Sequence, residues 1–263
     1  ILHGEELQIM EHCCEGEFAV LATSIDKMVQ RMLEQQSILQ KEKVFLADSM
    51  ADISHQMKTP LTSISLLLNL LQEEHLSEKK RLQYVQDLMK LTGRIDWMVY
   101  ALLRLAKLDA GTVQLQQVPY QIEDLIKAAV TPLEIALDIR DITLEVQMQP
   151  DLQHRGDISW MTEAVSNILK NCMEHTPSGG HIRIVTKDNP LYLLIKITDS
   201  GRGFTKQDLP HIFERFYRGQ NADTDSVGIG LALAKRIIIA QNGTIRAYNC
   251  LLYTSDAADE EDS

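Results

Sequence analysis

Five short stretches of this chain carry side chains that chemistry can use. In ISHQMKTPLT (53–62), His55 supplies an imidazole able to attack an electrophile or move a proton near neutral pH. In NILKNCMEH (167–175), Asn167 and Asn171 stand four apart, so both amides share one helical face, with Lys170 beside them. Such a set suits a metal–phosphate group. ITDSGRGF (197–204) ends an apolar strand in Asp199, whose carboxylate can accept hydrogen bonds from an amino group such as that of adenine. Gly201 and Gly203 follow it and let the backbone come close to a ligand. DSVGIGLALAK (225–235) sets Gly228 and Gly230 before a helix of small apolar residues, where N–H groups face phosphate oxygens. Between these two, IFERFYRG (212–219) has Phe213, Phe216 and Tyr217 beside Arg215 and Arg218, and runs into the polar QNADTDS. That is the pattern of a hinged flap with an aromatic anchor. Taken singly, each stretch also fits something ordinary: a surface histidine, helix-surface amides, a glycine turn, a lone GxG or a packed surface helix.

Positioning falls to two kinds of element. Leu46, Met50, Ile53, Met57, Leu61, Ile64, Leu68 and Leu71 recur at spacings of three and four, the seam of a bundled helix. At about 100° per residue, His55 points roughly 200° away from Ile53 and Met57, onto the outer face. Pro60 removes an N–H that the Gln56 carbonyl would have bonded, so a bend or loosening is expected just past His55. Upstream, Phe18, Ile25, Met32, Leu39, Leu46 and Ile53 repeat every seven residues, as in a coiled coil. Its second seam starts with Leu21 and Met28 and turns polar at Gln35 and Glu42. This reads equally as a shifting signalling stalk or a plain dimerisation stalk. After the polar 73–77, Ser77 is an N-cap for a second helix that turns Leu82, Val85, Leu88, Ile95, Met98, Leu102 and Leu105 inward and closes at Gly111. One such hairpin buries only part of its apolar surface, so two should pair as a dimeric four-helix bundle.

After Gly111 the periodicity changes. Residues 121–138 read as a helix interrupted at Pro132, 142–148 as a strand, 159–174 as a helix, 182–187 and 192–198 as strands, 229–241 as a helix and 243–248 as a strand. This is a mixed α/β domain with helices covering one face of a sheet. The tail CLLYTSDAADEEDS breaks the pattern and reads as non-native or solvated acidic sequence.

Composition sets bounds. The 263 residues suffice for one large or two ordinary domains, and a net charge of −11 argues against nucleic acid as the main partner. Cys13, Cys14, Cys172 and Cys250 lack CxxC spacing, which suggests neither a zinc site nor a disulfide framework and fits a reducing cytosol. No apolar run reaches the ~18–20 residues of a membrane span. The first residue is Ile1 rather than Met, so an upstream segment is expected.

In combination and in this order, the stretches resemble the bacterial sensor histidine kinases over residues 41–248. ISHQMKTPLT looks like the phosphoacceptor box, NILKNCMEHT the asparagine box, DSGRGF the first glycine box, FERFYRG the phenylalanine box and GIGLALAK the second glycine box. EFAVLATSIDKMVQRM is more weakly similar to the second helix of a HAMP linker, which in that family follows a transmembrane helix. The resemblance implies a coiled-coil/HAMP-like linker (1–40), a HisKA-type dimerisation and histidine phosphotransfer domain (41–111), and a GHKL-type α/β sandwich that binds ATP (112–250), with the acidic tail at 251–263. His55 would take the γ-phosphoryl group of ATP. Asn171, helped by Asn167, would hold Mg²⁺, with Lys170 near the phosphates. Asp199 would bind the adenine amino group, Gly201, Gly203, Gly228, Gly230 and Leu231 would line the cleft, and Arg218 would reach the phosphates from the flap. Thr59 would orient the water that dephosphorylates the partner, a response-regulator receiver domain. The expected setting is the cytoplasmic portion of a homodimeric inner-membrane sensor.

Three departures bear on activity. Gln56 follows the histidine where the family usually has Glu or Asp; an amide can orient the ring but cannot take its proton. Glu174 and Ser226 stand where a basic residue and a glycine are common. A rival therefore stays open, a kinase-weak signalling module that acts mainly as a response-regulator phosphatase or binding partner; a second is an ATPase akin to gyrase, chaperone and mismatch-repair relatives, which share the nucleotide cleft but lack the histidine hairpin.

Overall fold

The computed structural model describes residues 17–73, 75–189, 192–219 and 227–249. The tail, the 220–226 stretch with Ser226, Cys13, Cys14, Cys250 and Pro190 lie outside them, as do the side chains of Phe18, Leu21, Glu42 and Leu46. The chain divides into two compact units, residues 1–56 and 57–263.

Helix α1 (Glu17–Leu71) is continuous through Pro60. The loosening expected past His55 therefore does not amount to a break. Proline deletes one backbone bond, but its ring is fully buried here and Met57 and Ile64 around it are half-buried. In the first unit the seam side chains Ile25, Met28, Met32 and Leu39 are all exposed in the single chain. His55 is exposed and Ile53 and Gln56 are half-buried, so the outward orientation read from the helical period holds.

In the second unit, α2 (Glu78–Asp109) begins where Ser77 accepts the Lys80 N–H at 3.4 Å. It ends at Gly111, whose φ of +62° is the left-handed cap conformation glycine tolerates. Met98, Ala101, Leu105 and Leu108 are buried along one side. Leu82 and Val85, expected inward, are exposed. One antiparallel neighbour cannot cover that end of the helix.

The α/β part follows as β1 (Val118–Gln121), α3 (Ile122–Val130), a 3₁₀ turn at Thr131–Leu133, α4 (Glu134–Ile139), β2 (Thr143–Gln147), β3 (Gln153–Gly156), α5 (Ile158–His175), β4 (His181–Asn189), β5 (Tyr192–Asp199) and α6 (Gly230–Ala240). Strands β2, β4 and β5 form a sheet in that order, β2 parallel and β5 antiparallel to β4. β1 and β3 pair separately, antiparallel. Ile182 and Ile184 of β4 pack under Leu125, Ile126 and Ala129 of α3 and Val165, Leu169 and Cys172 of α5. On the other face, the cross-strand neighbours Glu145 and Arg183 meet at 2.7 Å. Residues 243–248, expected as a strand, form none. A strand needs a ladder partner, and this segment makes side-chain contacts instead, with Tyr248 5.8 Å from Lys196 Nζ on β5.

Asp157 knots these parts together. Its carboxylate caps α5 by accepting the Ser159 and Trp160 N–H groups at 3.1 and 3.2 Å, and also accepts Gln116 N–H. Its own N–H donates to the buried Gln241 Oε1 at 2.7 Å. At Gly156 a Cβ would lie 2.5 Å from that same oxygen, so a larger residue would displace the Gln241 amide from Asp157. Burial, with the Asp157 carboxylate nearby, pushes the Tyr120 phenol up to about 12. Replacing Asp157 with Ala is expected to lower the unfolding free energy by about 1–3 kcal/mol, as a lost cap and an orphaned buried donor would. Urea denaturation checks this, and an unchanged midpoint would show that α5 needs no such cap.

Candidate functional site

α5 presents the amides. Asn167 Nδ2 donates to the Glu163 carbonyl at 3.0 Å, one turn back. This leaves Oδ1 facing Gly230, the first residue of α6, where an added Cβ would sit 3.3 Å away. Asn171, half-buried, follows one turn on. Lys170 lies 4.0 Å from Glu174 and 5.1 Å from the centre of the Trp97 ring.

β5 delivers Asp199 to the same place. Its Oδ1 accepts the Gly201 N–H at 2.9 Å. The buried Cys172 thiol lies against it, and burial together with this carboxylate pushes the thiol's pKa up. Gly203 has a φ of +69°. The turn it makes is held by Asn249, whose side chain accepts Phe204 N–H at 2.9 Å and donates to Phe204 O at 2.7 Å.

The flap base is anchored as its aromatics suggest. Phe216 is half-buried and packs with Val227 and Ile229. Its N–H donates to Gly228 O at 2.9 Å. Phe216 holds a φ of +61°, a left-handed state that is costly for a residue with a Cβ and persists only where packing over-determines it. Tyr217 OH donates to Asp208 at 2.6 Å, and that bond raises the phenol's pKa. Gly228, with φ +74°, leaves no space for a side chain: a Cβ would lie 2.5 Å from Tyr217 O.

These pieces enclose one cleft of about 740 Å³, within the range of small-molecule sites. Asn167, Lys170, Asn171, Asp199, Arg218 and Leu231 line it, together with Gly203, Gly228 and Gly230. Gly201 does not. It is a packing glycine, since a Cβ would meet the His175 carbonyl oxygen at 2.6 Å. His55 and Gln56 belong to the first unit, while Thr59 is exposed on α1 in the second.

Several lining residues were not singled out from the sequence: Ser63 on α1, Asp87, Lys90, Arg94 and Trp97 on α2, and Asp208. Only packing between segments distant in sequence brings them here. The packing is apolar at its centre, where Met98, Ala101 and Leu105 of α2 meet Trp160 and Ala164 of α5 and Leu233 and Ile237 of α6. At its rim Arg104 stacks on Trp160 at 3.9 Å and pairs with Glu163 at 3.2 Å. Asp109 pairs with Arg215 and, at 2.8 Å, with Arg236.

Among the described residues no group of three or more His, Cys, Asp or Glu could hold a metal. A hard cation that keeps most of its water and shares phosphate oxygens still fits here, because the Asn167 and Asn171 amide oxygens are hard donors on one face. The cleft is thus suited to an adenine-type ring at Asp199 and to phosphates between the α5 amides and the start of α6.

A family model described as His Kinase A (phospho-acceptor) domain matches residues 46–111, and one described as Histidine kinase-, DNA gyrase B-, and HSP90-like ATPase matches residues 156–261. The heme sensor protein HssS of Staphylococcus saprophyticus is 28% identical over 245 residues, 93% of this chain and 51% of that protein. The sensor protein SphS of Synechococcus elongatus is 32% identical over 212 residues, 76% of this chain and 50% of that protein. The chain thus spans about half the length of the curated relatives it matches. A crystal structure of histidine kinase ThkA in complex with response regulator protein TrrA matches with a TM-score of 0.65 at 18% identity, over 81% of this chain and 60% of that one. At that identity the likeness is one of fold.

Two glycines give opposite expectations. Gly93, in mid-α2, has nothing within 4 Å of where a Cβ would sit, so Gly93→Ala should raise the melting temperature, reflecting the roughly 0.5–1 kcal/mol of stability that glycine costs in a helix. Gly228→Ala should lower it, reflecting a loss of at least the ~1–2 kcal/mol of a left-handed alanine. Calorimetric melts of both variants check the pair; a neutral Gly228→Ala would mean the flap base is not fixed by that turn.

Proposed function

This chain belongs to the sensor histidine kinases, and from that premise we propose that it phosphorylates its own His55 with ATP and Mg²⁺ and passes the phosphoryl group to an aspartate of a response-regulator receiver domain. The observation that carries the reading is the single cleft on which the asparagine, glycine and phenylalanine boxes converge. In the reaction, one His55 ring nitrogen attacks the γ-phosphorus, the bond to the bridging oxygen breaks, and ADP departs. The attacking ring nitrogen is the unprotonated one, so the proton on the other nitrogen of the phosphorylated imidazole goes to water, since Gln56 cannot accept it. Asp199 would take the adenine amino group, and Lys170 and Arg218 would face the phosphate oxygens. Asn171 and Asn167 would hold Mg²⁺, which when bound offsets phosphate charge. Positioning and charge neutralisation are most of what phosphoryl transfer requires.

Thr59, exposed one turn after His55, would orient the water that hydrolyses the phosphorylated receiver domain. Pairing of two hairpins into a homodimer is supported by the apolar side chains that α1 and α2 leave exposed in the single chain, among them Leu61, Leu68, Leu82 and Leu103. Among the described residues no helix is long and apolar enough to cross a membrane. Placement as the cytoplasmic part of an inner-membrane sensor rests on the family resemblance.

Incubation with γ-labelled ATP and Mg²⁺ is expected to give an acid-labile, alkali-stable label that is absent from His55→Gln. In the same assay Gln56→Glu should raise the initial rate about tenfold or more, because a carboxylate can take the ring proton. An unlabelled parent would support instead the signalling module that acts mainly on or with its response regulator. A Gln56→Glu rate no faster than the parent's would remove the role given to that position.

A further inference from the structure

Trp97 reaches the cleft from the hairpin and Lys170 from the α/β domain. The Lys170 ammonium lies over the indole, 5.1 Å from the ring centre. Of the two, the ring is the fixed partner. Trp97 is half-buried and packs against the apolar cluster of α2, α5 and α6 that holds Met98, Ala101 and Leu233. Lys170 is half-exposed, and a lysine stem is long and flexible. Glu174, one turn on along α5, stands 4.0 Å from the same ammonium, and a partly exposed pair at that distance fixes a side chain only weakly.

The kind of contact decides what Lys170 can then do. A carboxylate occupies an N–H donor and offsets positive charge. An aromatic face attracts the ammonium through its quadrupole and leaves that charge in place. The N–H groups directed away from the ring keep their capacity to meet phosphate oxygens. Gly93, one turn before Trp97 on the same helix face, also lines the cleft and has nothing within 4 Å of where a Cβ would sit. The approach to the pair is open on that side.

We propose that Trp97 is a positioning residue for the nucleotide: its indole face holds the Lys170 ammonium in the cleft, so that the hairpin orients a phosphate contact carried by the α/β domain. This rests on the reading of the cleft as an ATP site with Lys170 at the phosphates. The ring acts on the phosphates only through the lysine, and recognition of adenine at Asp199 does not depend on it.

Calorimetric titration of the whole chain with ATP and Mg²⁺, and separately with adenosine, tests it. Trp97→Leu keeps an apolar side chain without the ring. It should weaken ATP about threefold to fivefold, as the loss of one partly exposed cation–π contact would, while adenosine binds as before. Trp97→Phe, whose ring holds a cation less strongly, should lose less. In a Lys170→Gln background Trp97→Leu should weaken ATP no further. An undiminished loss in that background overturns the proposal, because the tryptophan then acts by packing and not through the lysine. So does an equal loss of adenosine, and so does unchanged or tighter ATP binding by Trp97→Leu, the result for a ring that competes with phosphate for the lysine. If Trp97→Leu does not fold, fluorescence decides. The chain has two tryptophans, and the other, Trp160, is buried beneath Arg104. Tripolyphosphate should change the emission of the parent and not that of Lys170→Gln; no change in the parent, or an equal change in both, overturns the proposal. A parent that binds no ATP overturns the kinase reading and the proposal with it, whereas a parent that binds ATP and a Trp97→Leu that matches it overturn the proposal alone.

Discussion

Burial of one apolar strip of α2 against α5 and α6 is the contact on which the rest of the second unit depends. Met98, Ala101 and Leu105 are almost fully buried there, as are Ala164, Ile229, Leu233 and Ile237. Each large side chain buried in this way is worth about 1.5–3 kcal/mol, far more than the ion pairs at the rim. Those pairs set direction instead. Arg104 on Trp160 and Glu163 fixes the rotation of α2 over α5, and Asp109 reaches both the flap base through Arg215 and α6 through Arg236. Glu163 is raised in pKa by burial, although Arg104 and Tyr100 oppose the shift.

From this contact the cleft follows by backbone necessity. α5 brings two amides one turn apart, β5 ends in Asp199, and α6 starts where Gly230 allows Asn167 to approach. The flap base sits in a left-handed turn at Phe216 because Gly228 receives its N–H and leaves space for the backbone of Tyr217. Asn249 clamps the turn after Asp199 from a segment that joins no sheet. The chemistry-bearing groups are therefore held largely by main-chain geometry, which suits a reaction that relies on positioning.

Much of this was legible in the sequence where the signal is local. Helical period set the outward face of His55, Ser77 and Gly111 marked the ends of α2, and alternation gave β2, β4 and β5 to within a residue or two. The asparagine, glycine and phenylalanine boxes meet in one cleft, while the phosphoacceptor box with His55 does not line it. What failed was what depends on distant partners. Residues 243–248 alternate like a strand but find no ladder. β3 was missed because QHRG pairs with β1 without any apolar pattern of its own. Gly201 looked like a ligand-facing glycine and is a packing one. The α2 wall was invisible because Lys90 and Arg94 look like any solvated helix face until α5 lies opposite.

If the α2 strip is what holds the cleft together, then α2 and the α/β domain must open as one cooperative unit. Native-state amide hydrogen exchange read along the chain measures this directly. Residues 98–108 of α2 are expected to exchange with the same opening free energy as the centres of α5 and α6. Fast, independent exchange of 98–108 beside a protected α5 would contradict the account.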